Sequence, residues 1–132
     1  MSKIETHWEN LSVEKWEKFA RNFLRCENHE CEGEDCETWG VLSVRVGLWG
    51  SDKALWHFIL LTLSLAERER ELAGIAAGPI EYLLGRFGNE YIDCLENEVA
   101  NNPKFAAAIK HCNRYSMTDE VWERVQKLQA TK

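Results

Sequence analysis

Residues 53–64 read KALWHFILLTLS, and this stretch decides the fold class. Apolar residues occupy nearly every face of a helix of this length, so we expect a helix at the centre of the protein core. The apolar run Ala54–Leu65 contains His57, Thr62 and Ser64 and is too short to cross a bilayer core about 30 Å thick. We therefore expect a buried helix rather than a membrane span, with His57 as a hydrogen-bonded core histidine and not a ligand.

Capping residues and helical spacing predict further helices on both sides of this segment. Ser12 is a favourable N-cap for a helix that runs to Arg25. The downstream helices are expected at 66–77, 79–87, 90–100, after Asn102-Pro103 and after Thr118. The pairs Gly78-Pro79 and Gly88-Asn89 should separate successive helices, with a sharp turn at the first. Short connections favour antiparallel neighbours, so the sequence predicts an all-α fold. Specifically, we expect residues 1–132 to form a compact single-domain stack of antiparallel helical hairpins, with six to seven helices.

The segment between Trp39 and Trp49 is ambiguous. Its residues 42–48 alternate as a strand would, but a helical pattern also fits. A lone strand would have no partner in an all-helical protein, so we expect a helix, with any strand confined to Leu42–Leu48.

Composition limits the class of protein further. The chain has 132 residues, 45% of them hydrophobic and six of them Trp, which is far from the composition of disordered chains. The N-terminal residues mix charged and apolar side chains without the apolar run of a signal peptide, so a cytoplasmic location is expected. Clustered Lys and Arg that would favour a nucleic-acid partner are not apparent.

Residues 26–37 read CENHECEGEDCE and hold the whole net charge of the chain. There are 22 acidic and 16 basic residues in all, and without the six acids of this segment 16 of each remain. The six acids are Glu27, Glu30, Glu32, Glu34, Asp35 and Glu37. Such a segment stays hydrated and attracts a cation or a basic protein. We expect an acidic loop at 26–38 that binds a basic partner, with Trp39 and Trp49 as exposed anchors.

The same segment holds four soft ligands, as many as a tetrahedral zinc site needs. They are Cys26, His29, Cys31 and Cys36. One residue between His29 and Cys31 makes it hard for both to face one ion, so a relaxed site would use the three cysteines with His29, His111 or Cys112. The alternative is a hydrated loop with incidental thiols. Five cysteines in a reducing compartment are expected as thiols or ligands before disulfides.

Catalytic chemistry is not expected. A Cys–His pairing, of Cys26 with His29 or of Cys112 with His111, is disfavoured because acidic surroundings raise a thiol pKa. The carboxylates Glu81 and Asp93 have no His, Ser or Cys with them in a motif, and both are interpreted as structural residues of helices. The sequence therefore predicts that the protein is not an enzyme.

Spaced motifs between Ala54 and Ile109 resemble a bacterial family of unknown function. They are AAGPIE-x-LL at residues 76–84, a glycine at 88, an Ile-Asp pair at 92–93 and Asn-Pro-x-Phe at 102–105. The resemblance implies an all-helical domain of bacterial or phage source and carries no activity. The cysteine segment is not part of the pattern that carries this resemblance.

These observations together predict a small cytosolic binding protein that neutralises or regulates a protein partner through its acidic surface. A toxin-immunity protein or an inhibitor fits this description. The alternative is a regulatory or scaffold module stabilised by zinc at the Cys/His loop.

Overall fold

The computed structural model describes residues 12–28, 30 and 51–130. All regular secondary structure in these ranges is helical, which confirms the predicted all-α class. The segment 39–49, with its strand alternative at 42–48, lies outside the described residues. The chain divides into two compact units, residues 1–66 and 67–132.

In the first unit, helix α1 (Val13–Glu27) packs against helix α2 (Asp52–Leu65). The hydroxyl of Ser12 caps α1 as predicted, because its Oγ accepts the Lys15 N–H at 3.1 Å. The rings of Phe23 and Phe58 meet edge to face, with centroids 5.7 Å apart. Burying a large apolar side chain stabilises a fold by about 1.5–3 kcal/mol, so this apolar contact is what holds the two helices together.

Helix α2 is a core helix as predicted, but it is not buried on every face. Its buried residues are Ala54, Leu55, Phe58, Ile59, Thr62 and Leu63. Lys53, His57 and Ser64 share one exposed face. The prediction for His57 was therefore wrong: the ring is exposed and meets the Trp16 ring edge to face, 4.7 Å between centroids. Apolar composition around a helix did not reveal that its few polar residues align at positions i, i+4 and i+11.

The second unit begins with a long helical run. Helix α3 (Glu69–Ile75) continues through a π-helical turn (Ala76–Ile80) into helix α4 (Glu81–Asn101). Helices α5 (Pro103–Ile109) and α6 (Asp119–Ala130) follow. Helix α4 packs against α5 and α6, and α5 also contacts α3 and α6. The largest side chains fully buried here are Ile75, Ile80, Leu83, Leu84 and Phe105.

Gly78-Pro79 does not separate two helices, so the predicted sharp turn was wrong. Ile75 and Glu81, on either side of the π-helical turn, both keep right-handed helical backbone angles. The N–H of Glu81 donates to the Ala76 carbonyl, five residues back, as in a π-helix. Proline has no N–H for the ordinary ladder and its ring crowds the preceding turn. We infer that the wider turn accommodates Pro79 without ending the run.

Gly88-Asn89 follows a kink where two helical segments meet, and not the end of the helical run. Phe87 departs from helical angles (φ −123°, ψ 26°) and marks a kink, but α4 continues to Asn101. Three of the predicted helices are therefore joined in one run. The described ranges contain five helical runs, where six to seven helices were predicted. The runs are Val13–Glu27, Asp52–Leu65, 69–101, Pro103–Ile109 and Asp119–Ala130.

The remaining capping predictions are confirmed. The side chain of Asn102 accepts the Lys104 N–H at 3.1 Å, with Pro103 in the first turn of α5. Thr118 accepts the Val121 N–H at 3.2 Å at the start of α6. No helix within the described ranges is long and apolar enough to cross a membrane.

Two glycines allow α4 to approach its neighbours closely. A Cβ on Gly85 would lie 2.3 Å from the Tyr115 carbonyl oxygen, in the connection between α5 and α6. A Cβ on Gly88 would lie 3.1 Å from Cγ2 of Val121 in α6. The first contact is with backbone and the second with a side chain, so Gly85 is the more restrictive of the two positions.

Candidate functional site

The acidic segment begins where α1 ends. Asn28 is the C-cap, and its N–H points to the carbonyls of Leu24 and Arg25 at 3.1 and 3.2 Å. The N–H of Glu30 adds a 2.8 Å bond to the Arg25 carbonyl. Glu27 is half-buried in the last turn of α1, whereas Glu30 is exposed beyond it. The other predicted site residues of this region lie outside the described residues: His29, Cys31, Glu32, Glu34, Asp35, Cys36, Glu37, Trp39 and Trp49.

The electrostatics of this helix end are unfavourable to the acids that follow it. The C-terminus of a helix carries the negative end of the macrodipole, and a carboxylate there costs about 0.3–1 kcal/mol at low ionic strength. Arg25 is the basic residue of the last turn of α1, and its guanidinium donates to the Asn22 side chain. Glu27 and Glu30 therefore lie where the macrodipole of α1 disfavours a carboxylate.

The outer face of α1 carries the opposite charge. Lys15, Lys18, Arg21 and Arg25 are all exposed, and we call these four residues the basic edge. Between Lys15 and Arg25 the helix contains one acid, Glu17, which pairs with Arg21 at 3.0 Å. Sequence analysis missed this feature because it counted charges along the whole chain. The spacing of three, three and four residues was the available signal, since it places basic side chains on neighbouring turns of a helix.

Of the four predicted zinc ligands, the structure describes only Cys26. Cys26 is half-buried in the last turn of α1. Over the ranges 12–28, 30 and 51–130, no three His, Cys, Asp or Glu side chains are placed to hold a metal. The other three ligands of the C-x2-H-x-C-x4-C set lie outside those ranges, so the zinc site stays a prediction.

His111 and Cys112, the two other residues considered as ligands, are held in structural contacts. The His111 Nε2 atom contacts a carboxylate oxygen of Glu69. Cys112 is buried, and burial together with the nearby charge of Glu81 raises its thiol pKa to about 12. Its Sγ donates to the Asn113 carbonyl at 3.6 Å. The thiol is thus protonated at neutral pH, which does not suit a nucleophile.

The carboxylates of the second unit also contact defined partners. Glu81 accepts the Asn113 N–H at 2.8 Å, and its pKa is raised by burial, an effect that this hydrogen bond partly offsets. Arg124 in α6 contacts Asp93 and both oxygens of Glu96 in α4. The hydrogen bonds to Glu96 and Asp93 raise the Arg124 pKa above its ordinary value. These contacts connect α4 to α6 and to the connection between α5 and α6, as expected for structural carboxylates.

No curated protein and no solved structure matches the chain. A family of unknown function, DUF6869, matches residues 27–132, which is most of the sequence and includes all of the motifs between residues 76 and 105. The match begins at Glu27, so the matched range includes the acidic segment. The chain therefore belongs to the DUF6869 family of unknown function.

Proposed function

We propose that this protein binds and neutralises or regulates a basic protein partner, in the manner of a toxin-immunity protein or an inhibitor. The binding surface is the acidic segment at residues 27–37. The observation that carries the proposal is the position of the acids: they hold the whole net charge of −6 and follow α1 in the sequence, and the exposed Glu30 lies just beyond the negative end of the macrodipole of α1.

The second unit provides the contrast that supports this proposal. There, carboxylates contact cations or backbone N–H groups of other structural elements, as Glu81 and Glu96 do. Six acids concentrated in one segment create a local negative potential. Such a potential steers a basic partner toward the surface and raises the association rate more than it slows dissociation.

The test is a charge reversal of Glu30, Glu32 and Glu34 to Lys in the full chain. A partner is first captured from the source cells with tagged protein, identified and purified. Its association and dissociation rates are then measured with the unchanged chain and with the triple variant. We expect the association rate to fall about tenfold at low salt, with less change in dissociation. The difference should shrink toward 1 M salt, where the Debye length is about 3 Å.

A matched control separates the acidic segment from net charge. Glu67, Glu90 and Glu123 are exposed residues of the second unit, and reversing them to Lys changes the net charge by the same amount. Under the proposal this control keeps most of the association rate. Equal losses in the two triple variants, or no loss in either, would reject the acidic segment as the binding surface.

The alternative, a regulatory or scaffold module stabilised by zinc, has its own test. Protein purified without added metal should then contain about one zinc ion per chain, and Cys31→Ser should lose it. Metal-free protein in which Cys26, Cys31 and Cys36 all react in the folded state would reject this alternative.

A further inference from the structure

The connection between α5 and α6 presents an exposed aromatic side chain. Tyr115 is 54% exposed, and within the described part of the second unit no other large apolar side chain is as open to solvent. The next residue, Ser116, has a left-handed backbone angle (φ 55°), which is unfavourable for a residue other than glycine. Such a conformation persists only where the surrounding structure maintains it.

Hydrogen bonds on either side of Tyr115 hold this connection in place. The Asn113 N–H donates to the Glu81 carboxylate at 2.8 Å, and the Gln129 side chain donates to the Cys112 carbonyl at 2.7 Å. A tyrosine has only two side-chain torsions, so it loses little conformational entropy when it is immobilised by a partner. An exposed tyrosine on a fixed backbone therefore has the properties of an interface anchor.

A groove of about 80 Å³ lies beside this tyrosine, between α4 and the start of α6. Gly85 lines the groove and also approaches the Tyr115 carbonyl oxygen, but Tyr115 itself does not line it. Other lining residues are Arg86, Gly88, Asn89, Glu90 and Thr118. Pockets for small-molecule ligands measure about 300–1,000 Å³, so this groove is too small for one. A cavity of about 150 Å³ holds a whole benzene, so the groove fits the hydroxyl end of a phenol ring.

Two opposite charges accompany the groove. Arg86 and Glu90 are exposed and lie one turn apart on the same side of α4. Within the described ranges neither residue takes part in an ion pair. A surface that carries an anchor, a groove and both charges side by side can be complementary to its own copy after a two-fold rotation.

We propose that this surface binds a second copy of the chain in a two-fold symmetric dimer. Tyr115 of each copy enters the groove of the other, where Asn89 and Thr118 supply side-chain oxygens for its hydroxyl group. Arg86 of each copy pairs with Glu90 of the other. The inference goes beyond the proposed function and does not depend on it, because the acidic segment takes no part in the contact.

The dimer is expected to be weak. One aromatic anchor and two exposed ion pairs form a contact at the small end of specific interfaces, so we expect a dissociation constant of about 0.1 mM. Sedimentation velocity of the full chain at concentrations up to about 0.5 mM should therefore show a monomer–dimer equilibrium. A reductant is included because Cys94 is exposed and could otherwise form a disulfide between copies.

Tyr115→Ala tests the anchor. It removes the ring but keeps the carbonyl that packs against Gly85, and we expect the dissociation constant to rise at least about tenfold. Val13→Ala is the matched control, because Val13 is 80% exposed and belongs to the first unit. This control should leave the dissociation constant unchanged. Circular dichroism and urea unfolding check that both variants are folded.

Charge reversal tests the orientation of the two copies. Arg86→Glu and Glu90→Arg, each alone, should weaken the dimer at least about threefold, because each places like charges opposite one another twice. An equimolar mixture of these two variants should recover the dissociation constant of the unchanged chain as a heterodimer. Arg70→Glu and Glu123→Arg are exposed changes outside the groove with the same net charges, and they should have no effect alone or mixed.

Three results would overturn the inference. They are a chain that stays monomeric at about 0.5 mM, a dimer that Tyr115→Ala does not weaken, and a mixture of the charge variants that recovers no affinity. Equal weakening by Val13→Ala would also reject Tyr115 as the anchor. None of these results bears on the acidic segment, whose test is the association rate with the captured partner.

Discussion

Charged residues are arranged differently in the two parts of the chain. In residues 67–132 several carboxylates contact groups on neighbouring elements. The contacts are Glu69 with His111, Glu81 with Asn113, and Asp93 and Glu96 with Arg124. In residues 15–37 the basic side chains come first and the acidic ones follow. Opposite charges in contact add modestly to the packing of helices, whereas a block of like charge creates an electrostatic potential that extends into the solvent.

The largest difference expected within residues 67–132 is in the reactivity of two thiols. It tests how rarely this part of the structure opens. Cys112 is buried with a pKa of about 12, while Cys94 on α4 is exposed. At pH 8 a thiol with that pKa is ionised in about one molecule in 10⁴, and the reagent reaches it only after an opening of the structure. We expect Cys112 to be alkylated at least about a thousandfold more slowly than Cys94.

Mass spectrometry of peptides after timed alkylation measures both rates in one sample, and urea supplies the unfolded reference. In urea the two cysteines should react at similar rates. Similar rates without urea would show that residues 67–132 open readily, and the structural role assigned to their charged contacts would then fail.

Close packing of α4 gives the next effect. In Gly85→Ala the added methyl group meets the Tyr115 carbonyl oxygen at 2.3 Å, so backbone must move. We expect a loss of about 2 kcal/mol in the free energy of unfolding, even after the helix preference of alanine. Gly88→Ala is the matched control, because its methyl group meets only the Val121 side chain at 3.1 Å.

Urea unfolding of the three proteins decides this prediction. The Gly88→Ala variant should lose less than about 1 kcal/mol, since a side chain can shift where a carbonyl in the connection between α5 and α6 cannot. If Gly85→Ala proves the milder change, the close approach of α4 to residue 115 is not a constraint on the fold.

The sequence predicted local features well because local chemistry determines them. The caps at Ser12, Asn102 and Thr118 were all predicted, since each depends on a side chain and an N–H two or three residues away. Gly78-Pro79 misled the prediction because the pair is as compatible with a π-helical turn inside a run as with a break between helices. Only the surrounding packing distinguishes these outcomes, and a single sequence does not contain it.

Contacts between residues far apart in the chain could not be predicted from the sequence for a different reason. His111 contacts Glu69 across 42 residues, and Arg124 contacts Glu96 across 28. Their pairing depends on how the helices pack, and nothing in the spacing of charges specifies it. The basic edge, in contrast, lies within one helix and is visible as a spacing of three and four residues. The acidic segment was found from composition alone, although most of it lies outside the described ranges.

The charge state of Glu81 provides a prediction with a defined pH dependence. Burial raises its pKa, so the folded state favours the protonated form. The contribution of Glu81 to stability is fully present when the pH is below the pKa of this carboxyl in the unfolded chain, for which 4.5 is the reference. That contribution is lost as the pH rises through the higher pKa of the folded state. Glu81→Gln keeps an oxygen that can accept the Asn113 N–H and removes the charge. We therefore expect the variant to gain stability relative to the unchanged protein between pH 4 and pH 7.

Urea unfolding at both pH values measures this gain. A stability difference between Gln and Glu that is the same at pH 4 and pH 7 would contradict the prediction. A difference that falls toward neutral pH would mean that the Asn113 hydrogen bond outweighs burial and that ionised Glu81 stabilises the fold.

The smallest effect concerns the two ends of α1 and bears directly on why the acids follow it. Glu14 lies in the first turn, where a carboxylate interacts favourably with the macrodipole, and Glu30 lies just beyond the last turn, where it does not. Glu14→Lys should therefore lower the free energy of unfolding and Glu30→Lys should raise it, each by about 0.3–1 kcal/mol at low salt. The two variants have the same net charge, so each is the control for the other. Urea unfolding of both variants at low salt, repeated at 1 M salt, should show opposite signs that both shrink with screening. Opposite signs would mean that Glu30 is retained at a cost to the helix, as a residue that acts on a partner should be. Destabilisation by both variants would instead give Glu30 a structural role and remove the main support for the acidic segment as a binding surface.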